Sequence, residues 1–318
     1  MPITIAPGPL DTWGGMECDS RGRLYFTVGN HKSTDGNSWA LRFNPQSDSI
    51  EVLFDVLWSA PDAIDPDGLG HGKFHAPPVR DATGAFHLAT AYHNAPPDDT
   101  RRYRGSILFS FPSDGKPSVK CHGVIFPQEG VFGAVYLPRH NAYAALTLPS
   151  GRCRIYDPRA RRILYASDTA AGMPARLIAR DNLDRVYFHD NTGGVLCHDL
   201  ACSATAPVPI AIPSARDCPA PRNPAEAARP DLIRVMKLTP DNRLLGFTNY
   251  GHIFLYDPHR RTTRHLGHAL GLEPVPGPCY VADFALTRDG RHAAYVGGLG
   301  NAANDHVHDN PVIILNLV

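Results

Sequence analysis

Short apolar runs separated by turn residues recur along the whole chain. In the middle the sequence reads VFGAVYLPRHNAYAALTLPSGRCRIYDPRARRILYAS, and nearer the end it reads IRVMKLTPDNRLLGFTNYGHIFLYDPHRRTTRHLG. Each stretch holds runs rich in Val, Ile, Leu, Phe and Tyr, which favour strands, between turns of Asp, Asn, Arg, Gly and Pro. The pairs Tyr156-Asp157 and Tyr256-Asp257 fall at the same place in both stretches. The pattern predicts a repeated unit of four short strands.

Four other segments fit the same unit, and they begin with MECDSRGRLYFTVGN, FHAPPVRDATGAFHLATAY, PARLIARDNLDRVYFHD and VADFALTRDGRHAAYVGG. The last shows only three strands, and the N-terminal ITIA could supply its fourth. A four-stranded sheet cannot bury both faces alone, whereas sheets stacked around an axis can. We therefore expect one all-β domain over residues 1–318, a β-propeller of six legible four-stranded repeats closed by the N-terminal strand. A β-sandwich or two smaller β domains is the alternative.

Composition agrees with this fold and narrows the partners. The 28 glycines and 30 prolines suit a chain with many turns. Because 31 basic residues balance 31 acidic ones, net charge gives no case for binding nucleic acid or an anionic membrane. No apolar run approaches the ~20 residues of a membrane helix, and no secretory signal is visible. We expect a monomer that is cytoplasmic, or secreted with its signal removed.

The cysteines are seven and scattered, so complete pairing within the chain is impossible. Free buried thiols are expected, with one or two disulfides as the alternative. Cys197, His198 and Cys202 have ligand-like spacing, but they span a strand and its turn, which favours packing. No segment matches a zinc signature. No cofactor is required on this interpretation, and a structural calcium or zinc ion stays open.

Candidate site residues follow from the repeats, because a propeller brings the loops into its inner strands and the loops between second and third strands to one face. The residues at inner-strand starts are Trp13, His71, Lys73, His75, Arg176 and Arg234. Those between second and third strands are Asn30, His31, His93, Asn94, Ser150, Arg152, Asp190, Asn191, Tyr250, His252 and residues 301–308. Such a face suits a polar, anionic ligand such as a sugar acid. Ordinary solvated loops are the competing interpretation.

The densest group lies in GHGKFHAPPVRDATGAFHLATAYHN. His75 is predicted at the top of the inner strand and His93 at the top of the second strand of the same repeat, so the two should be neighbours. Since histidine titrates near neutrality, the pair suits acid–base chemistry or carboxylate binding. Capping of loops through backbone hydrogen bonds is the structural alternative.

The HGKFH segment, the AYHN after it, and the unit from Tyr136 through AYAALTLPSG to Arg152 resemble the propeller-fold polysaccharide lyases. That group includes ulvan lyases and rhamnose-glucuronate lyases, with related propeller α-L-rhamnosidases. The resemblance implies seven blades and cleavage at a glucuronate of an oligo- or polysaccharide by β-elimination. This reaction removes the proton at C5 and expels the oxygen at C4, so it needs a base and a group that neutralises the carboxylate.

Matching this chemistry to the residues gives the candidate roles. The catalytic candidates are His75, His93, Tyr136 and Arg152, with Tyr136 as the base and the others beside the carboxylate. The substrate-binding candidates are His31, Lys73, Asn94, Arg176, Asn191, Arg234, Tyr250 and His252, with Tyr250 as the reserve base. The repeat alignment also places Tyr136 well down its strand, where a core role competes.

Two other functions compete with the lyase. A glycoside hydrolase on the same fold usually uses paired carboxylates, for which Asp190 and Asp305 are the main candidates. A non-catalytic propeller that binds glycan or protein is the third hypothesis, because one fold serves many functions.

Overall fold

The computed structural model describes residues 12, 14–30, 36–64, 68–92, 102–113, 118–168, 177–211, 231–271, 279–299 and 312–317. The chain divides into two compact units, Met1–Asp168 and Thr169–Val318, which are described separately. The elements of the described ranges are strands, apart from α1 (Val56–Ser59) and 3₁₀ turns at Pro61–Ala63 and at Arg102.

The described residues of the first unit form three antiparallel sheets of four strands. The first sheet consists of β1 (Glu17–Cys18), β2 (Leu24–Gly29), β3 (Ser38–Asn44) and β4 (Ser49–Asp55). The second consists of β5 (Val79–Arg80), β6 (Phe86–Ala89), β7 (Gly105–Phe111) and β8 (Lys120–Pro127). The third consists of β9 (Gly130–Leu137), β10 (Ala142–Leu148), β11 (Cys153–Asp157) and β12 (Arg162–Ala166).

The second unit contains two sheets of four strands and one with three described strands. Its first sheet consists of β13 (Ile178–Arg180), β14 (Val186–His189), β15 (Val195–Asp199) and β16 (Ala204–Val208). Its second consists of β17 (Ile233–Leu238), β18 (Leu244–Thr248), β19 (His252–Asp257) and β20 (Thr262–His268). Its last consists of β21 (Cys279–Leu286), β22 (His292–Leu299) and β23 (Val312–Asn316).

These six successive antiparallel sheets are the blades of a six-bladed β-propeller. They confirm the all-β fold and the six repeats expected from the sequence, including the three strands of the last repeat. The described residues hold no sheet for the seventh blade that the lyase resemblance implies. The N-terminal ITIA, proposed to close the last blade, lies outside the described residues, and the single-domain assignment stays a prediction.

Burial explains why consecutive sheets stack. One apolar cluster in each unit joins its first two blades, and a second cluster joins its last two. All seven residues of β10 are buried, because the second strand of a blade is covered on both faces. The outer strand β12 is mostly exposed or half-buried and carries Arg162, as suits an edge strand that must resist pairing with other chains.

A recurring aspartate shapes the turn between the first two strands of a blade. In blades 1, 2 and 4 the Oδ1 of Asp19, Asp81 or Asp181 accepts hydrogen bonds from the backbone amides two and four residues further on. Their Oδ2 atoms accept from the side chain six residues on, which is Tyr25 (3.1 Å), His87 (3.0 Å) or Tyr187 (2.9 Å). His87 therefore stands where the other two blades have tyrosine.

The turn between the third and fourth strands repeats as well. Asp157 and Asp257 each accept from the amides two and three residues ahead. Each turn closes on a non-glycine residue in the left-handed region, Arg161 or Arg261, both with φ of 54°. The two Tyr-Asp pairs singled out in the sequence thus end β11 and β19, as the repeat predicts.

Five cysteines are free thiols, namely Cys18, Cys121, Cys153, Cys197 and Cys202, but most of them are not buried as the sequence analysis expects. Only Cys153 among them is buried, whereas Cys18, Cys121 and Cys202 are exposed. His198 Nδ1 lies 2.9 Å from Thr205 Oγ1. In the part of the chain that is described, no helix is long and apolar enough to cross a bilayer.

Candidate functional site

The HGKFH segment is held firmly between the first two blades. Ser38 Oγ donates to the His71 carbonyl at 2.5 Å. A Cβ on Gly29 would lie 2.2 Å from the Gly72 carbonyl oxygen, so only glycine allows the two backbones to approach this closely. Lys73 forms an isolated bridge with Ala91 after β6. The backbone is therefore fixed, and the side chains that follow have a defined direction.

His71 is a buried, neutral member of this segment. Its Nδ1 lies 2.9 Å from Thr90 Oγ1 and 3.2 Å from the Tyr103 hydroxyl. Burial lowers the pKa of His71 to about 4, because the charged imidazolium would lose its hydration. Its Nε2 has no hydrogen-bond partner among the described residues.

Lys73 and His75 follow on the same segment and are both buried, with 5% and 4% of their surfaces exposed. The His75 ring stacks on Phe132 of β9, with ring centroids 3.6 Å apart. An ammonium group and an imidazole thus precede β5 of blade 2, and the imidazole lies against β9 of blade 3.

Glu129 lies directly before β9, the strand that carries Phe132. Its carboxylate accepts a hydrogen bond from Ser150 Oγ at 2.8 Å and lies 3.3 Å from Arg154 Nη2. Burial raises the pKa of the Tyr92 phenol, and the charge of Glu129 raises it further. Tyr92 therefore keeps its proton at neutral pH and can act as a hydrogen-bond donor. We call Lys73, His75, Tyr92, Glu129 and Arg154 the unit-1 cluster.

In the second unit, Asp231 precedes β17 and is 9% exposed. Its Oδ1 accepts from the Tyr250 amide at 3.1 Å. Burial raises the pKa of Asp231 to about 7, and this effect exceeds the opposing hydrogen bonds from the Thr248 side chain and the backbone amides of the loop. A carboxyl group with such a pKa can both take up and release a proton near neutrality.

One histidine lies near this carboxyl group, and a second binds the loop that carries Tyr250. His252 Nε2 lies 4.0 Å from Asp231 Oδ2. His268 Nε2 donates to the Tyr250 carbonyl at 2.8 Å, while its Nδ1 accepts from the Leu270 amide at 3.2 Å. These bonds fix the neutral Nε2–H tautomer of His268, which holds the Tyr250 loop in place.

Arg234 completes the group from β17, where it is 2% exposed. The pairing of β17 with β18 shifts between Ile233 and Val235, so Arg234 occupies a β-bulge, a device that re-aims a side chain. We call Asp231, Arg234, Tyr250 and His252 the unit-2 cluster. Each of the four residues is at least nine-tenths buried, so only a small part of each residue is exposed to solvent.

The structure thus brings together several predicted residues and separates others. Lys73 and His75 lie on one segment, Tyr250 and His252 lie beside Asp231, and Arg234 follows in β17. Arg152 and Asn191 are exposed loop residues. The predicted residues outside the described part are Trp13, His31, His93, Asn94, Arg176 and Asp305, and their roles stay predictions.

Tyr136 lies near the other end of β9 from Glu129, seven residues and roughly 23 Å along an extended strand. It is buried, its hydroxyl donates to Asn141 Oδ1 at 2.8 Å, and its ring stacks on His87 at 4.7 Å. Burial raises its pKa to about 12, so the phenol is neutral. Arg152 belongs to the loop at the Glu129 end, so Tyr136 and Arg152 are not brought together.

Four residues of the two clusters were not singled out in the sequence, and one of them is Arg154 of β11. Tyr92 stands directly before the predicted His93, and Glu129 and Asp231 each come just before an inner strand. That position before an inner strand was the feature of the sequence by which the two acids could have been recognised as candidates. Their burial and partners come from other strands, so the sequence did not mark them further.

The clusters do not form an evident metal centre. Among the described residues, no group of three or more His, Cys, Asp or Glu side chains is arranged to hold a metal ion.

Comparison with known proteins identifies the fold and no family. No protein-family model and no curated protein sequence matches the chain. A catalytically inactive histidine-to-alanine variant of virginiamycin B lyase from Staphylococcus aureus, solved with quinupristin, is similar with a TM-score of 0.54 and 10% identity, over 93% of this chain and 95% of that one.

Two further solved structures share the fold. A periplasmic gluconolactonase of Pseudomonas aeruginosa has a TM-score of 0.53 and 13% identity over 88% of this chain and 77% of its own. A Bacteroides uniformis protein assigned as a 6-phosphogluconolactonase has a TM-score of 0.52 and 14% identity, over 94% of this chain and 87% of its own. At these identities the likeness establishes the propeller fold alone.

Proposed function

We propose that this protein is a lyase that cleaves a glycan at a glucuronate by β-elimination, with the unit-2 cluster as its acid–base centre. The observation that carries the proposal is the buried Asp231 carboxyl group, whose pKa of about 7 is matched to proton transfer at neutral pH, with His252 Nε2 4.0 Å away. Arg234 supplies a cation on the neighbouring bulge.

Each step of the elimination has a residue for it. The guanidinium of Arg234 neutralises the uronate carboxylate, which makes the C5 proton more acidic. The Asp231 carboxylate takes that proton, and the electron pair of the C5–H bond forms the C4–C5 double bond. The C4–O bond breaks, and the leaving oxygen takes a proton from His252. Such a positioned acid–base group contributes typically ~10²–10⁴-fold to the rate.

The unit-1 cluster supports the same substrate class. Lys73 and His75 offer donors to an anionic sugar, and the Tyr92 phenol keeps its proton. Solved proteins of similar fold include a lyase whose inactive form carries a histidine-to-alanine substitution, which is compatible with a histidine in this reaction type.

A second candidate is hydrolysis of a sugar lactone. The same Asp231 carboxylate could remove a proton from water, and Arg234 could stabilise the oxyanion that forms. Two fold neighbours described as gluconolactonases favour keeping it. A glycosidase requires two carboxyl groups at the bond, and within the unit-2 cluster Asp231 is the only one.

The test incubates the full chain with glucuronate–rhamnose oligosaccharides and follows ultraviolet absorbance of the unsaturated uronate together with reducing ends. Growth of both signals, lost in Asp231→Asn, is expected. Reducing ends without absorbance would contradict elimination. Opening of gluconolactone, measured as acid release with no effect on the oligosaccharides, would establish the second candidate, and binding without any product would favour a non-catalytic propeller.

A further inference from the structure

A separate cavity lies at the turn end of blades 2 and 3, away from the start of β9 where the unit-1 cluster sits. It has a volume of about 400 Å³, which is within the range of small-ligand pockets. Its walls come from the turn after β5, from β6, β7 and β8, from the end of β9, and from the turn after β11. None of the residues in the proposed acid–base centre lines it.

The charge of this cavity is unbalanced. Three cationic side chains line it, Lys120, Arg159 and Arg161. None of them has a carboxylate within ion-pair distance among the described residues, whereas Arg23, Arg42 and Arg185 each have one elsewhere in the chain. Basic residues gathered without counter-charges around a cavity suit a dianion such as a phosphate monoester.

The one carboxylate among the described lining residues is already engaged. Asp81 accepts hydrogen bonds from the Thr83 amide and hydroxyl, from the Ala85 amide and from His87 Nε2. These four bonds build the β5–β6 turn, as the equivalent aspartates do in blades 1 and 4. Asp81 therefore serves the fold and does not neutralise the three cations.

His87 provides an independent indication of a ligand. Only 4% of it is exposed, and its Nδ1 has no hydrogen-bond partner among the described residues. Because Nε2 donates to Asp81, the neutral ring leaves Nδ1 as an acceptor. A buried acceptor without a partner is unfavourable, and a ligand hydroxyl would satisfy it. Tyr136 stacks on the same ring and extends a flat aromatic floor.

We propose that this cavity binds a phosphorylated sugar, with the phosphate held by Lys120, Arg159 and Arg161 and a sugar hydroxyl donating to His87 Nδ1. The lowered pKa of His122, caused first by burial and then by Lys120, His87 and Arg161, agrees with a cationic surrounding. The assignment gives Tyr136, which lies near the other end of β9 from Glu129, a role as part of the cavity floor.

The test is calorimetric titration of the full chain with glucose 6-phosphate, inorganic phosphate and glucose. Glucose 6-phosphate should bind more tightly than inorganic phosphate, and glucose should not bind measurably. The double variant Lys120→Gln with Arg159→Gln should weaken glucose 6-phosphate by at least about tenfold. Arg162→Gln, which removes an exposed charge on β12 outside the cavity, is the matched control and should leave the affinity unchanged.

His87→Tyr tests the acceptor without disturbing the turn, because tyrosine makes the equivalent bond to aspartate in blades 1 and 4. It should weaken glucose 6-phosphate more than inorganic phosphate. Unchanged affinity in the double variant or in His87→Tyr would overturn the proposal, as would equal binding of glucose. Loss of binding in Asp231→Asn would also overturn it, since the ligand would then occupy the unit-2 cluster.

Discussion

Glu129 and Asp231 occupy the same position in two blades but meet different partners. Thr147 pairs with Val131 in blade 3, and Thr248 pairs with Ile233 in blade 5. Each acid lies two residues before the inner-strand member of these pairs. Both inner strands then carry a bulge, so the two carboxyl groups begin from the same backbone geometry.

The surroundings of the two acids differ because arginine and phenylalanine are exchanged at two equivalent positions of the blades. Arg154, which pairs with Ala145, corresponds to Phe254, which pairs with Gly246. Arg154 reaches Glu129, whereas Phe254 is fully buried in the apolar cluster between blades 4 and 5. A Cβ at position 246 would lie 2.2 Å from the Phe254 ring, so glycine makes room for it.

In the bulge of the inner strand the exchange is reversed, with phenylalanine in blade 3 and arginine in blade 5. Phe132 stands in β9 and Arg234 in β17. The blade 3 acid is therefore an ion-paired structural group, and the blade 5 acid is a buried carboxyl group with a raised pKa. Equivalent backbone positions thus acquire different chemistry from the side chains on the third strand and in the inner-strand bulge.

The largest expected effect that separates the two acids is on the rate. Asp231→Asn should lower kcat by ~10²–10⁴-fold on a uronate oligosaccharide, because it removes the proton acceptor. Glu129→Gln should retain most of the activity. The kcat/KM profile of the native protein should rise with pH through about 7, as Asp231 ionises. Equal losses in the two variants would break the distinction between them.

The next effect concerns stability at neutral pH. The folded pKa of Asp231 is raised from 3.8 to about 7, so the unfolded chain loses this proton first as pH rises. Stability is fully present below pH 3.8 and declines as pH rises towards 7. The Asp231→Asn variant should therefore have a free energy of unfolding up to about 4 kcal/mol higher than that of the native protein at pH 8. Near pH 4 the two free energies of unfolding should be similar. Urea titrations at both pH values measure this, and a destabilised variant at pH 8 would contradict it.

His71 in the first unit should show the opposite pH dependence. Its folded pKa is lowered from 6.5 to about 4, so the unfolded chain takes up a proton first as pH falls. Stability from the neutral ring is present above pH 6.5 and is lost towards pH 4, by up to about 3 kcal/mol. The free energy of unfolding of the His71→Gln variant is subtracted from that of the native protein at pH 7.5 and again at pH 4.5. The change in this difference between the two pH values isolates the contribution of His71. A parallel pH dependence in the two proteins would refute it.

The smallest expected effect is on the Glu129 ion pair. Arg154→Met keeps much of the packing but leaves a nine-tenths buried carboxylate without its cation. It should lower the free energy of unfolding by about 1–3 kcal/mol at pH 7. Arg159→Met, an exposed arginine on the following turn, is the control. Equal stability of the two variants would show that Glu129 does not depend on Arg154.

The fold was predictable to a large extent because its signals are local. Asp181, for example, accepts hydrogen bonds from the side chains of Arg185 and Tyr187. The residues that specify this hairpin turn therefore lie within seven positions of the sequence. The Tyr256-Asp257 pair marks the end of a third strand in the same way. Stacking of six such sheets then follows from the need to cover both faces.

The candidate site was predictable only in part. Lys73 and His75 were singled out because they stand in one short motif, and Arg234, Tyr250 and His252 because the repeats predict which loops share a face. Tyr136 was placed in the catalytic group by resemblance, and its contacts with Asn141 and His87 depend on a turn and on a neighbouring blade.

The sequence by itself determined the repeating strands, their turns and the six blades, since each depends on residues a few positions apart. Only the tertiary structure decided which acid is paired and which is left to hold a proton. The pKa of Asp231 depends on desolvation by side chains from other strands, and the pairing of Glu129 depends on Arg154, 25 residues away. Burial and charge compensation are properties of packed neighbours, and the repeat alone does not specify them.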